Sequence, residues 1–358
     1  MSSRDERVSL SVVADSAPVG LRLAGQGALL VASLALTCLG LTCVTFFIGR
    51  FIRADPVLAV VGDHATRDVY DKARLAMGLD KPVVEQYLIY LKKVLSGDFG
   101  HSVMTSQSVL SDLLRFFPAT FELATIATII AVVVGVPAGV AAGANRGRWP
   151  DHLVRIVSLF GYSMPVFWLG LVALFLLYGK LGWVAGPGRL DVGYDDIVTP
   201  VTGVILIDSA VAGEWDVFRN ALSHLVLPAS ILGYIGLAYI ARMTRSFMID
   251  QMSQEYIVAA RIKGRSEWGI VWAHAFPNVL VPLITVVGLA YASFLEGAIL
   301  TETVFAWPGL GLYITQSLFN ADMNAVLGGT LVVGVVFIGI NLTCDFLYRL
   351  ADPRLRAP

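Results

Sequence analysis

The side chains best placed to do chemistry in this sequence are carboxylates inside long apolar runs, where an ionised group is costly. Glu122, Glu296 and Asp345 occupy such runs, and each is a candidate for a substrate or ion pathway. All three fall near the ends of their runs, where a carboxylate reaches water. No ladder of Asp, Glu or His crosses a run, as a proton relay would require. His64, His101, His152, His224 and His274 are scattered with no pair at metal-ligand spacing, which gives them structural or solvent-facing roles. Cys38, Cys43 and Cys344 lie in apolar stretches and read as small hydrophobes. Gly179-Lys180 is followed by Leu181 and lacks the phosphate cradle of an ATP-binding loop. With no paired catalytic carboxylates and no activated nucleophile, the chain is expected to hold no catalytic residue, no metal and no cofactor of its own.

Three other constellations carry more information. From Glu255 to Pro277 the chain reads EYIVAARIKGRSEWGIVWAHAFP. Ala259 and Ala260 predict a small-residue face on a helical turn, and Gly264 predicts a reversal through positive φ. Ser266 and Glu267 then start a second short helix that reaches Pro277. Such an elbow is a compact knob for a groove in another protein. Alternatively it is an amphipathic loop on the membrane surface, with Arg261, Lys263 and Arg265 holding anionic headgroups. Trp307, Pro308, Gly309 and Gly311 place an aromatic beside a tight turn, suited to capping a pore or to anchoring at the membrane interface. Gly135, Gly139 and Gly143 form a ridge that lets a second helix approach closely, either from a neighbouring subunit or from the same chain. Pro137 and Pro165 are candidate kinks.

The elements that position these residues follow from hydropathy. Of 358 residues, 56% are hydrophobic and 15% charged, too few charges to cover a soluble protein of this size. A net charge of −1 leaves no basic field for nucleic acid. Six segments are long and apolar enough to span a bilayer, starting near Leu23, Ala119, Leu153, Leu225, Val279 and Ala325 and ending near Ile48, Ala144, Tyr178, Ala241, Leu300 and Leu347. The fourth is short and contains Pro228. The first is too long for a cleaved signal core and reads as an anchor. Arg146, Arg148, Arg242, Arg245, Arg261, Lys263, Arg265 and Arg349 fall in alternate connections, which places both termini in the cytoplasm. The expected fold class is therefore an all-α polytopic membrane protein with six transmembrane helices. Its predicted parts are a cytoplasmic tail 1–22, a first transmembrane helix 23–48 and an extracytoplasmic module 49–117. A five-helix core 118–348 with a cytoplasmic loop 246–278, and a tail 349–358, follow. In the extracytoplasmic module, Glu85–Leu95 has a helical apolar spacing and SGDFGHS (Ser96–Ser102) is a glycine-rich turn.

Ala259, Ala260, Gly264 and Pro277 match the spacing EAA-x3-G-x9-I-x-L-P, with Val258, His274 and Phe276 standing where that pattern has Glu, Ile and Leu. The chain here resembles the coupling loop of permeases of binding-protein-dependent ABC importers. AARIKG (Ala259–Gly264) is similar to the TARAKG of the peptide and nickel branch. ETVFAWPGLG (Glu302–Gly311), FPATFELA (Phe117–Ala124), SMPVFWLGL (Ser163–Leu171), GDFGHS and DPRLR (Asp352–Arg356) also resemble that branch.

The resemblance implies a type I ABC importer permease core in a bacterial or archaeal cytoplasmic membrane. It implies a coupling contact through Glu255, Ala259, Ala260, Arg261, Lys263 and Gly264, and an external gate loop with Glu302, Phe305, Trp307, Pro308, Gly309 and Gly311. It also implies partners: a second related permease, two ATP-binding subunits carrying ATP and magnesium, and an extracytoplasmic binding protein. The implied cargo is peptide, or alternatively nickel chelates, opines, glutathione or oligosaccharides. An ion-coupled secondary transporter is the competing class, but the sequence lacks its inverted repeats and midplane ion site.

Overall fold

The computed structural model describes residues 32, 34–47, 56–62 and 64–351. All regular structure among them is helical. The tail 1–22, most of the tail 349–358 with its DPRLR motif, and residues 23–31, 33 and 48 of the first predicted span lie outside the described residues. Residues up to Phe51 form one compact unit and those from Ile52 a second.

The first unit contains helix α1, Leu34–Phe47, which is apolar. Thr42 and Thr45 donate their hydroxyls to carbonyls one turn back, which hides polar groups inside an apolar helix.

The second unit opens with three short helices, α2 (Pro56–Val61), α3 (Arg67–Ala76) and α4 (Val83–Leu95). The apolar spacing expected over Glu85–Leu95 is thus a helix. The GDFGHS turn then leads into α5 (Val109–Ala144), whose N-terminus is capped by the Ser108 hydroxyl accepting from the Ser111 amide. This helix starts ten residues ahead of the expected span, because residues 109–118 have polar caps and half-apolar faces that a hydropathy window does not score. Helix α6 (Trp149–Ser163) and helix α7 (Val166–Ala173), prolonged by a π-helical stretch Leu174–Lys180, divide the expected third span at Pro165, one of the two candidate kinks. They meet at an angle of 98°. The cause is local: Pro165 lacks an amide hydrogen and forces Met164 into extended geometry (φ −100°, ψ 127°).

Helix α8 (Ile205–Ala212) precedes α9 (Trp215–Met252), which is 38 residues long rather than the short segment hydropathy suggests. Helix α10 (Glu255–Ile262) follows, and then α11 (Phe276–Val304), α12 (Leu310–Phe319) and α13 (Met323–Ala351). Among the described residues, four helices are long and apolar enough to cross a membrane, and α6 with α7 makes a fifth if the bent pair counts as one span.

The core is built on α5 and α9. A methyl group added at Gly139 would lie 2.6 Å from the Ala241 carbonyl oxygen, and one at Gly143 would strike the Met248 side chain. Gly233 on α9 returns the close approach, facing the Ala127 carbonyl. The Gly135–Gly143 ridge therefore packs within this chain. Small residues serve this purpose because apolar lipid gives helices no hydrophobic drive to associate, so close van der Waals contact must do it.

Candidate functional site

Two constellations sit at opposite ends of the bundle. At the end where α9 leads into α10, the chain makes the expected elbow. Helix α10 stops in a Schellman arrangement: the Gly264 amide donates to the Arg261 carbonyl at 2.9 Å and the Arg265 amide to the Ala260 carbonyl at 3.2 Å. Gly264 has φ +75° with nothing within 4 Å of where a Cβ would be, so conformation and not space requires glycine there. Ser266 caps the next turn by accepting from the Gly269 amide at 3.2 Å. Arg261 spans the elbow, donating two hydrogen bonds to the Glu267 carboxylate at 2.9 and 3.2 Å.

The second arm does not end at Pro277. It continues through a π-helical stretch, Ile270–Ala275, directly into α11. The proline is tolerated because it lies in the first turn after that stretch, where its missing amide hydrogen breaks no regular bond. The elbow is thus rigidly joined to a long helix. Its inner side is keyed into the bundle by Ile257 and Ile270, both fully buried and packed in one cluster with Val140 and Met248. Each such side chain contributes about 1.5–3 kcal/mol by leaving water. Ala259 and Ala260 do not share a face: Ala260 is buried in this cluster, while Ala259 points outward with Glu255, Arg261, Lys263 and Gly264. Adjacent helical residues are about 100° apart, so one of the pair must turn away. Val258, Ile262 and Trp268 add exposed apolar surface to the same knob.

At the distal end, Glu302 lies in the last turn of α11 and is fully buried. Its carboxylate accepts from the Thr120 hydroxyl at 2.5 Å and the Leu312 amide at 2.7 Å. Thr120 in turn accepts from the Leu310 amide at 2.7 Å. Trp307 is also fully buried and donates its indole N–H to the Ala119 carbonyl at 2.9 Å. It is neither an exposed plug nor an interface anchor but a peg in the side of α5. Phe305 is buried beside Gly170 of α7, and its carbonyl accepts from the Gly188 amide at 2.8 Å. Gly309 and Gly311 face the Glu302 carboxylate so closely that any side chain would displace it. The ETVFAWPGLG segment therefore ties α5, α7, α11 and α12 into one knot.

Beside the knot, Glu122 is not a free pathway group. It accepts two hydrogen bonds from Arg189, at 3.0 and 2.5 Å, and one from the Leu206 amide at 3.0 Å. Arg189 also lies 5.9 Å from the Trp307 ring centre. The strap between α7 and α8 is thus fastened to α5. Asp208 holds the strap's end by accepting from the amides of Val201, Thr202 and Gly203 and from the Thr202 hydroxyl. Burial pushes the Asp208 carboxyl up, but these donors outweigh it and hold the pKa below the ordinary value. His224 is buried, with Nδ1 at the Gly186 carbonyl. Asp345 is exposed on α13, and the Glu296 side chain lies outside the described residues.

Sequence reasoning missed Thr120, Arg189 and Asp112. Asp112 binds the Tyr313 hydroxyl at 3.0 Å and the Thr105 hydroxyl at 2.5 Å. Asp322 accepts from the Ser102 hydroxyl at 2.6 Å and so fastens the GDFGHS turn to the start of α13. Thr120 stands in the FPATFELA motif, the one signal that could have found it; Arg189 lies 67 residues from Glu122, Tyr313 201 from Asp112, and Ser102 220 from Asp322. An apolar cleft of about 710 Å³ runs between α5, α11 and α13, lined among others by Phe121, Leu283, Tyr291 and Ile340. Among the described residues, no Asp, Glu, Lys, Arg or His lines it.

A helical bundle with four or five apolar crossings, knotted at one end and carrying an exposed elbow at the other, is a polytopic membrane protein. Residues 135–357 match the family model for the inner membrane component of binding-protein-dependent transport systems, and residues 29–124 match the model of its N-terminal part. The chain belongs to that family and is a permease of the ABC importer type. It is 44% identical over 322 residues to a probable D,D-dipeptide transport system permease protein of Escherichia coli, covering 90% of this chain and 94% of that one. A di/tripeptide transport system permease protein of Pseudomonas aeruginosa is 43% identical, with 89% and 95% covered. Among solved structures, the inward-facing MetNI methionine ABC transporter aligns with a TM-score of 0.49 at 17% identity, over 68% of this chain and 97% of that one.

Proposed function

We propose that this chain forms half of the translocation pathway for dipeptides or short oligopeptides delivered by an extracytoplasmic binding protein. The observation that carries the reading is the 44% identity, over nearly the whole length, to a permease named for D,D-dipeptide transport. The elbow is its coupling surface: an exposed knob on a rigid stem suits a cleft in an ATP-binding subunit. Nucleotide-driven closure of two such subunits would move α10 and, through the unbroken stem, α11. The chain itself performs no catalysis, and ATP with magnesium belongs to the partner subunits. A second related permease completes the pore.

Six spans with both termini in the cytoplasm, in a bacterial inner membrane, fit the loop charges and put the elbow inside and the knot outside. The distal knot, with Glu302, Phe305, Trp307, Pro308, Gly309 and Gly311, is the fixed outer frame of the gate. The test is uptake of a labelled dipeptide by cells expressing the chain with the ATP-binding subunits and binding protein of its own operon. Uptake that depends on this chain, and is lost on replacing Gly264 with Trp, is expected. Uptake by the chain alone under an ion gradient would overturn the reading.

A further inference from the structure

Near the elbow end of α9, a second site lies between α6 and α9, and neither the coupling nor the gating role uses it. A cavity of about 670 Å³ is lined there by Arg155, Ser158, Tyr162, Arg242 and Arg245, with Ile156 and Leu159 at its edge. Arg242 is preset: it donates to the Tyr162 hydroxyl at 2.9 Å and lies 4.3 Å from that ring's centre. Arg245 is neutralised by Asp151, which also accepts from the Gly147 amide. Arg155 and Arg242 form no ion pair among the described residues. Three guanidinium groups with one carboxylate among them, Asp151, therefore leave the cavity basic.

The floor of the cavity supplies an independent observation. Ser158 is buried to 5% exposure, and its hydroxyl has no hydrogen-bond partner among the described residues. A buried hydroxyl without a partner costs about 1–3 kcal/mol, so a hydroxyl in the wall of a basic cavity, brought to face it by a turn about χ1, is a place for an acceptor. The rim points to the source of that acceptor. Ile156 and Leu159, one turn apart on α6, are both exposed and line the same cavity as the arginines, which gives it an apolar side beside the basic one. A free phosphate would gain nothing from that edge, whereas an acyl chain would.

We propose that this cavity binds the phosphodiester of an anionic phospholipid, with Arg155 and Arg242 on the phosphate oxygens and the Ser158 hydroxyl donating to one of them. The acyl chain then lies along Ile156 and Leu159. Because Arg242 and Arg245 stand on the helix that feeds the elbow, the bound lipid braces that helix against α6.

The test is native mass spectrometry of the transporter complex in detergent, with phosphatidylglycerol or phosphatidylcholine added. The wild-type complex is expected to retain phosphatidylglycerol over phosphatidylcholine. Arg155→Gln should weaken retention about fivefold, and Arg155→Gln with Arg242→Gln about thirtyfold. Ser158→Ala should weaken it severalfold without lowering the thermal midpoint, since that hydroxyl has no internal partner to lose. If the double variant fails to fold, Ser158→Ala decides. Equal retention of the two lipids by the wild type, or wild-type retention by folded variants, overturns the proposal. So does displacement of the lipid by millimolar inorganic phosphate, which would make this a free-anion site. A cavity closed by a partner subunit in the complex would appear as no retention at all, and would overturn it as well.

Discussion

The distal knot and the elbow are both built around glycines and both carry charged residues, yet they are held in opposite ways. In the knot, a carboxylate from α11, a hydroxyl from α5 and amides from α12 satisfy one another away from water, and every bond crosses between elements. In the elbow, the bonds that set the shape span a few residues, and the outward charges stay in solvent. Buried networks are rigid because an unmade bond there costs the full desolvation of its partner. Local turn motifs hold shape cheaply and leave side chains free for another protein. One end resists change and the other is available for contact.

That contrast can be broken by substitution. Glu302→Ala should have the largest effect, at least about 3 kcal/mol, because it leaves the Leu312 amide and the Thr120 hydroxyl without their acceptor. Thermal unfolding of the purified chain measures it, and a shift no larger than that of an elbow variant would erase the distinction. Gly264→Val comes next. Forcing a β-branched residue to φ +75° costs about 1–2 kcal/mol, too little to unfold the bundle. Peptide uptake and co-purification of the ATP-binding subunit should nonetheless be lost; retained uptake would separate the elbow from coupling.

Arg261→Ala removes an exposed ion pair worth at most about 1 kcal/mol, so the unfolding midpoint should hardly move. ATPase stimulation should fall further when Lys263→Ala is added, and unchanged stimulation would remove both side chains from the coupling surface.

The smallest expected effect is on pH. The folded pKa of Asp208 is lowered, so its contribution is present above the unfolded value and is lost as pH falls through the folded one. Amide exchange at Thr202 and Gly203, taken relative to the intrinsic rate at each pH, should therefore accelerate only below roughly pH 4, the ordinary carboxylate value, while the same ratio at Gly264 stays constant. Acceleration near neutrality would contradict the anchoring of the strap.

The elbow was almost fully legible in the sequence because its determinants are local. Gly264 needs positive φ, Ser266 is a cap, and three basic residues cannot be buried unpaired. What escaped was that Ala259 and Ala260 point apart, and the outcome past Pro277, where a π-helical stretch absorbs a proline that would otherwise end a helix. The bend at Pro165 was only a possibility in the sequence, where hydropathy runs straight through it. The knot was legible as a motif but not as a structure. Trp307 looked like a group to be exposed, because nothing within ten residues of it offers the Ala119 carbonyl.

The sequence by itself determined that the chain is helical and apolar enough for the membrane, where it turns back at Gly264, and which charges of the elbow lie at the surface. These follow from composition and from interactions spanning a few residues. Only the tertiary structure decided that the glycine ridge of α5 packs against α9 of the same chain, that Glu122 is taken by Arg189, and that Glu302 and Trp307 are sealed against α5. Each of these needs a partner far along the chain, and only the packed bundle removes the water that would otherwise satisfy those groups.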